Sequence, residues 1–98
     1  MNIDDIVKAL ANPARREILA WLKDPESNFP SQEHSLENGV CAGQINERSG
    51  LSQSTTSSHL AALQRAGLVS LHRDGKWAFF KRDEKNIQAF LEEMRHRL

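Results

Sequence analysis

Residues 41–69, CAGQINERSGLSQSTTSSHLAALQRAGLV, carry two helix signals separated by a stop. The spacing predicts a helix over 41–49, with Cys41, Ala42 and Ile45 turned inward. Ser49-Gly50 ends it, and Leu51 is an apolar spacer. Ser52 then caps a second helix that runs to Ala66, and Gly67 supplies a left-handed stop. Two helices about four residues apart, with Gly between them, form a helix-turn-helix signature. The rest of the chain must fold around that pair.

The flanking segments complete a recognisable order. Ile3, Ile6, Val7 and Leu10 recur at helical spacing. Asn12-Pro13 starts a further helix, striped by Ile18, Leu19 and Leu22 and ending near Asp24-Pro25, with Arg15 and Arg16 on its outer face. Residues 24–40 contain two Pro, several Ser and Asn, and a Gly, and predict a long loop with one helical turn near Glu33–Leu36. Leu68, Val69 and Leu71 suggest a strand, Asp74-Gly75 a hairpin turn, and Trp77 to Lys81 the return strand. Ile87, Phe90, Leu91, Met94 and Leu98 stripe a terminal amphipathic helix. The expected fold is mainly α with a two-stranded β-hairpin, a single winged helix-turn-helix domain spanning 1–98.

The second helix of the pair is unusual in its side chains. Ser52, Ser54, Thr55, Thr56, Ser57 and Ser58 crowd its first half, although their hydroxyls compete for the backbone and weaken a helix. Thr56, Leu60 and Leu63 form an inward stripe flanked by Thr55, His59 and Ala66. Gln53, Ser54, Ser57, Ser58 and Ala61 fall on the other side. That face is short, polar and uncharged. In a major groove, bulky residues hold a helix away from base edges, whereas Ser and Gln donate and accept at close range. The helix start adds a phosphate site. A merely solvated face carries Glu and Lys more often, and none occurs from Ser52 to Gln64.

Formal net charge is zero, but the charges are segregated. Residues 1–40 carry four basic against seven acidic side chains, residues 41–82 six against two, and residues 83–98 three against four. Within the positive segment, Arg73 and Lys76 flank the hairpin tip, and Arg65 ends the second helix of the pair. Each is placed to add a salt-dependent attraction to phosphate. Lys81 and Arg82 read as ordinary surface charges. Ninety-eight residues, 39% of them hydrophobic and 27% charged, suit one soluble domain. No apolar run approaches the roughly 20 residues a membrane span needs. The lone Cys41 forms no internal disulfide, and the expected location is the cytoplasm.

ALANPARREILAWL, followed by QINERSGLSQSTTSSHLAALQRAGLVSLHRDGKWAFF, resembles the ArsR/SmtB family of bacterial winged-helix repressors. The likeness covers nearly the whole chain outside 24–40. It implies a repressor that binds double-stranded DNA at a palindromic operator, as a homodimer built from the first and last helices. Carried over by position, Gln53, Ser54, Thr56, Ser57 and Ser58 match the DNA-reading helix, and Arg73, Asp74, Gly75 and Lys76 the wing. Thr56 and His59 have packing as their alternative role, and His59 is left outside the site as a hydrogen-bonded structural histidine. The dimer face expected is Ile3, Ile6, Leu10, Ile87, Phe90, Leu91, Met94 and Leu98.

The family's thiolate pair has Cys41 but Gly43 at its second position. Its last-helix metal set keeps Asp83 and His96, but Lys85 replaces one His. Neither half-set meets the several ligands a soft metal needs, so no metal and no cofactor are expected. Cys41 is a candidate redox sensor by its place before the reading helix, although a lone Cys more often acts as a small buried apolar residue. An enzyme is disfavoured: no nucleophile–base set or phosphate loop occurs, and Ser57 and His59 are too close on one helix to work as a pair. The competing role is a winged-helix module that binds protein instead of DNA. The residues name no inducer.

Overall fold

The computed structural model describes all 98 residues. In chain order these form α1 (Ile3–Leu10), α2 (Pro13–Lys23), the short α3 (Pro25–Asn28), a 3-10 turn (Leu36–Asn38), β1 (Val40–Cys41), α4 (Ala42–Ser49), α5 (Gln53–Arg65), β2 (Val69–Asp74), β3 (Trp77–Arg82) and α6 (Glu84–Arg97). No helix is long and apolar enough to cross a membrane.

The helix starts follow from side-chain caps. Asn2, Asn12, Asp24, Ser52 and Asp83 each accept a hydrogen bond from a first-turn amide. Such a cap contributes about 1 kcal/mol. Gly50 ends α4 with φ +69°, a left-handed conformation that a Cβ disfavours. The reversal it permits sends the chain directly into Ser52 and α5.

The expected two-stranded hairpin is a three-stranded antiparallel sheet in the order β1-β3-β2. Val40 pairs with Phe80, and Cys41 with Phe79. A two-residue strand is too short to show alternation, so Val40 and Cys41 read as loop and helix in isolation. Cys41 therefore lies on β1, and α4 begins at Ala42. Gly39 makes this pairing possible, because a Cβ there would strike the Phe80 carbonyl. Gln32 organises the loop around the new strand: its Oε1 accepts from the Cys41 amide at 2.8 Å, and its Nε2 donates to the Gly39 carbonyl at 3.2 Å. The helical turn in this loop sits at Leu36–Asn38, later than Glu33–Leu36, and Pro25–Asn28 adds a turn that the proline-rich composition obscured.

The core fills the space between the helices and one face of the sheet. Ile6, Ile18, Leu22, Val40, Ile45, Leu63 and Leu68 are all nearly inaccessible, with Phe80 closing the sheet side. Burying such a side chain contributes about 1.5–3 kcal/mol. The sheet register puts Cys41, His72 and Phe79 on its opposite face. Phe79 is nonetheless buried, because the His34 ring packs edge-on to it at 5.3 Å and also lies 4.7 Å from Trp77. The loop thus braces the tip-side half of β3.

Candidate nucleic-acid interface

α4 and α5 are locked by a small polar cluster. The Asn46 amide donates to Thr56 Oγ1 at 2.9 Å and to the Leu51 carbonyl at 3.0 Å. The Ser49 hydroxyl donates to the Asn46 carbonyl at 2.8 Å, accepts from the Leu51 amide, and lies 3.2 Å from Thr56 Oγ1. Every member is satisfied, and that condition makes a buried network stabilising instead of costly. The result is a fixed angle between the two helices.

That cluster corrects one expected reader. Thr56 is only 2% exposed, and its hydroxyl is spent on Asn46 and Ser49, so its side chain does not reach the outer face. Position on the helix explains this: Thr56, His59, Leu60 and Leu63 form the buried stripe. Gln53, Ser54, Ser57 and Ser58 are exposed on the other side, and Arg65 extends their face at the helix end. Ser52 caps the first turn through the Thr55 amide. The uncharged outer surface contains no side chain longer than Gln53 before Gln64.

The hairpin β2–β3 projects beside this helix. Its tip residues Arg73, Asp74, Gly75 and Lys76 are all exposed, and Gly75 takes φ +59° in the turn. Lys76 Nζ lies 5.3 Å from the Trp77 ring centre, a cation–π approach that holds it near the base of the tip. The remaining cations of the basic segment are committed elsewhere. Arg48 stacks on Trp21 and donates to the Asn28 carbonyl; Lys81 donates to the Glu37 carbonyl; Arg82 pairs with Glu84 and donates to the Leu19 carbonyl. Arg65, Arg73 and Lys76 make no ion pair.

His59 is buried against α2, where its Nδ1 accepts from Arg15 Nε at 3.1 Å. Arginine has no acceptor, so Nδ1 must offer its lone pair and the imidazole is neutral. Burial, and then the Arg15 guanidinium, hold its pKa below the ordinary histidine value. Arg15 is consequently half-buried against α5 and not on the outer face of α2.

The expected dimer face also needs correction. Ile6, Ile87 and Phe90 are inside the subunit's own core, at 1%, 8% and 8% exposure. An amphipathic stripe identifies an apolar side but not what covers it. The uncovered apolar residues on this face are Val7 and Leu91, each about half exposed, with Met1 and Leu98 more so; Leu51 before α5 and Trp77 at the start of β3 are exposed elsewhere. Ile3, Leu10 and Met94 are partly covered. The start of α1 and the end of α6 adjoin, as Met1, Ile3 and Arg97 line one shallow depression.

A helix-turn-helix followed by an antiparallel wing, with the second helix presenting a free polar face, defines the winged helix-turn-helix class of transcriptional regulators. The sequence model described as "Bacterial regulatory protein, arsR family" matches residues 36–70. YbzH, an HTH-type transcriptional regulator of Bacillus subtilis, is 44% identical over 85% of each chain. The transcriptional activator HlyU of Vibrio cholerae is 33% identical over 95% of this chain and 73% of its own. The solved HlyU structure covers 95% of this chain and 87% of its own, at a TM-score of 0.66 and 30% identity. The homodimeric winged helix-turn-helix DNA-binding domain of Mb0332 from Mycobacterium bovis matches with a TM-score of 0.67 and 25% identity, covering 94% of this chain and 74% of that one. The chain belongs to the arsR family of bacterial regulatory proteins, and it is a transcriptional regulator rather than an enzyme.

Proposed function

We propose that the protein is a homodimeric, sequence-specific regulator that represses transcription in the cytoplasm by occupying a palindromic operator. The observation that carries this proposal is the outer face of α5. Gln53, Ser54, Ser57 and Ser58 are exposed, short and uncharged, on a helix whose tilt is fixed by the Asn46–Thr56 cluster. Such a face can lie against base edges without a steric or electrostatic barrier. Arg65, Arg73 and Lys76 then meet phosphates on either side, the last two from the wing.

Pairing through Ile3, Val7 and Leu10 of α1 with Leu91 and Met94 of α6 and the following Leu98 covers the exposed apolar surface of these two helices. It sets two α5 helices in successive major grooves, about 34 Å apart. That the similar Mb0332 domain is homodimeric supports a homodimer. Repression requires only occupancy of a site that overlaps a promoter, and the helix and wing supply that occupancy.

Selection of duplexes from a random pool, followed by gel shift and a reporter assay with the recovered site, tests the proposal. The expected result is a palindromic consensus with half-sites one turn apart, retardation that resists competitor DNA, and lowered reporter output. No retardation at low salt overturns it in favour of a protein-binding role.

A further inference from the structure

Three cations from three helices converge at the end of α5, two of them outside both the helix-turn-helix and the wing. Lys8 of α1, Arg15 of α2 and Arg65 of α5 line one open cavity of about 230 Å³ over an alanine floor. None of them forms an ion pair, and the single carboxylate at the cavity is Asp5. Arg15 is oriented by its Nε–H bond to His59, which leaves its terminal guanidinium nitrogens without a partner in the protein. Arg65 lies on the same helical stripe as Ser54, Ser58 and Ala61, so the cavity continues the outer face of α5.

A cluster with a net excess of two positive charges and no internal partner attracts an anion. Small alanine side chains on the floor let that anion approach closely. The apolar side of α1, Ile3, Val7 and Leu10, is separated from Asp5 and Lys8 by the buried stripe of Ile6 and Ala9. The cavity therefore does not share the flank expected to meet a second subunit.

We propose that Lys8, Arg15 and Arg65 form a further phosphate-binding surface that grips the DNA backbone beside the half-site read by α5, with His59 as the positioning residue for Arg15. This inference rests on the DNA-binding reading above. It makes α1 and α2, and not only the wing, part of the nucleic-acid footprint.

The test uses the full chain and the operator duplex recovered by selection. Fluorescence anisotropy gives affinity as a function of potassium chloride for the wild type, Lys8→Gln, Arg15→Gln and the double variant. Each lost phosphate contact lowers the slope of log affinity against log salt by about 0.9. The double variant is expected to lose roughly twice that, while keeping the wild-type preference for operator over scrambled duplex. A double variant with wild-type melting and dimer mass, but an unchanged slope, overturns this proposal and leaves the DNA-binding reading standing. Dissociation of the double variant to monomers also overturns it, because the cluster then serves the partner subunit. A wild-type chain that binds no duplex overturns the DNA-binding reading, and this proposal with it.

Discussion

The Asn46 side-chain amide lies 2.9 Å from Thr56 Oγ1, joining the middle of α4 to the first turns of α5 beneath the exposed hydroxyl face. Thr56 is buried with Leu60 and Leu63, so the hydroxyl at this position belongs to the hinge of the motif and not to its outer surface. The neighbouring Ser57 and Ser58 point the other way. One helix therefore carries two populations of hydroxyls with different work: one holds the geometry, and the other is left free.

Thr56→Val removes the acceptor while keeping the shape. The Asn46 amide keeps only its Leu51 carbonyl acceptor, and the Ser49 hydroxyl loses its Thr56 neighbour. The expected destabilisation is about 1–3 kcal/mol, the usual cost of an unpaired buried polar group. Urea unfolding followed by circular dichroism measures it. A change within about 0.5 kcal/mol, typical of surface substitutions, would show that the cluster does not set the angle.

Ser57→Glu separates folding from recognition. The side chain is exposed, so stability should change by no more than about 0.5 kcal/mol. Placing a carboxylate against DNA phosphates costs several kcal/mol, which corresponds to a loss of at least about a hundredfold in operator affinity. Melting and anisotropy on the same sample report both quantities. Unchanged affinity would place this face away from the duplex.

Acid should weaken the fold through His59. Its pKa is lower in the folded chain than in the unfolded one, so the unfolded state binds the proton more readily. The contribution is complete above about pH 6.5, the unfolded value, and is lost as pH falls through the folded value. Denaturant midpoints measured from neutral to mildly acid pH should fall more steeply for the wild type than for His59→Gln. Parallel profiles would mean that the buried imidazole is not the group responsible.

Leu91→Glu probes the proposed pairing. The residue is 51% exposed on α6, so a charge there is compatible with the folded subunit. In a dimer built on this face it introduces a buried, unpaired carboxylate, a change that typically costs 3–5 kcal/mol. Sedimentation should show a shift from dimer to monomer at micromolar concentration, with circular dichroism unchanged. A variant that keeps the wild-type mass would move the subunit contact elsewhere.

Local chemistry alone determined most of the architecture. Asn12-Pro13, Ser52 and Asp83 cap helices, Gly50 and Gly67 stop them, and Asp74-Gly75 turns the hairpin, because these conformations depend on the residue and its immediate neighbours. The uncharged face of α5 is equally local, since helical periodicity separates Ser57 and Ser58 from Leu60 and Leu63. Tertiary structure decided what required a distant partner. Val40 and Cys41 become a strand only because Phe79 and Phe80 lie alongside them. Ile6, Ile87 and Phe90 leave the list of dimer residues because other helices cover them first. Arg15 turns from solvent to His59, 44 positions away, and so assembles a basic cavity from three helices. Apolar periodicity encodes that a side is buried, but only the packed chain assigns the surface that buries it.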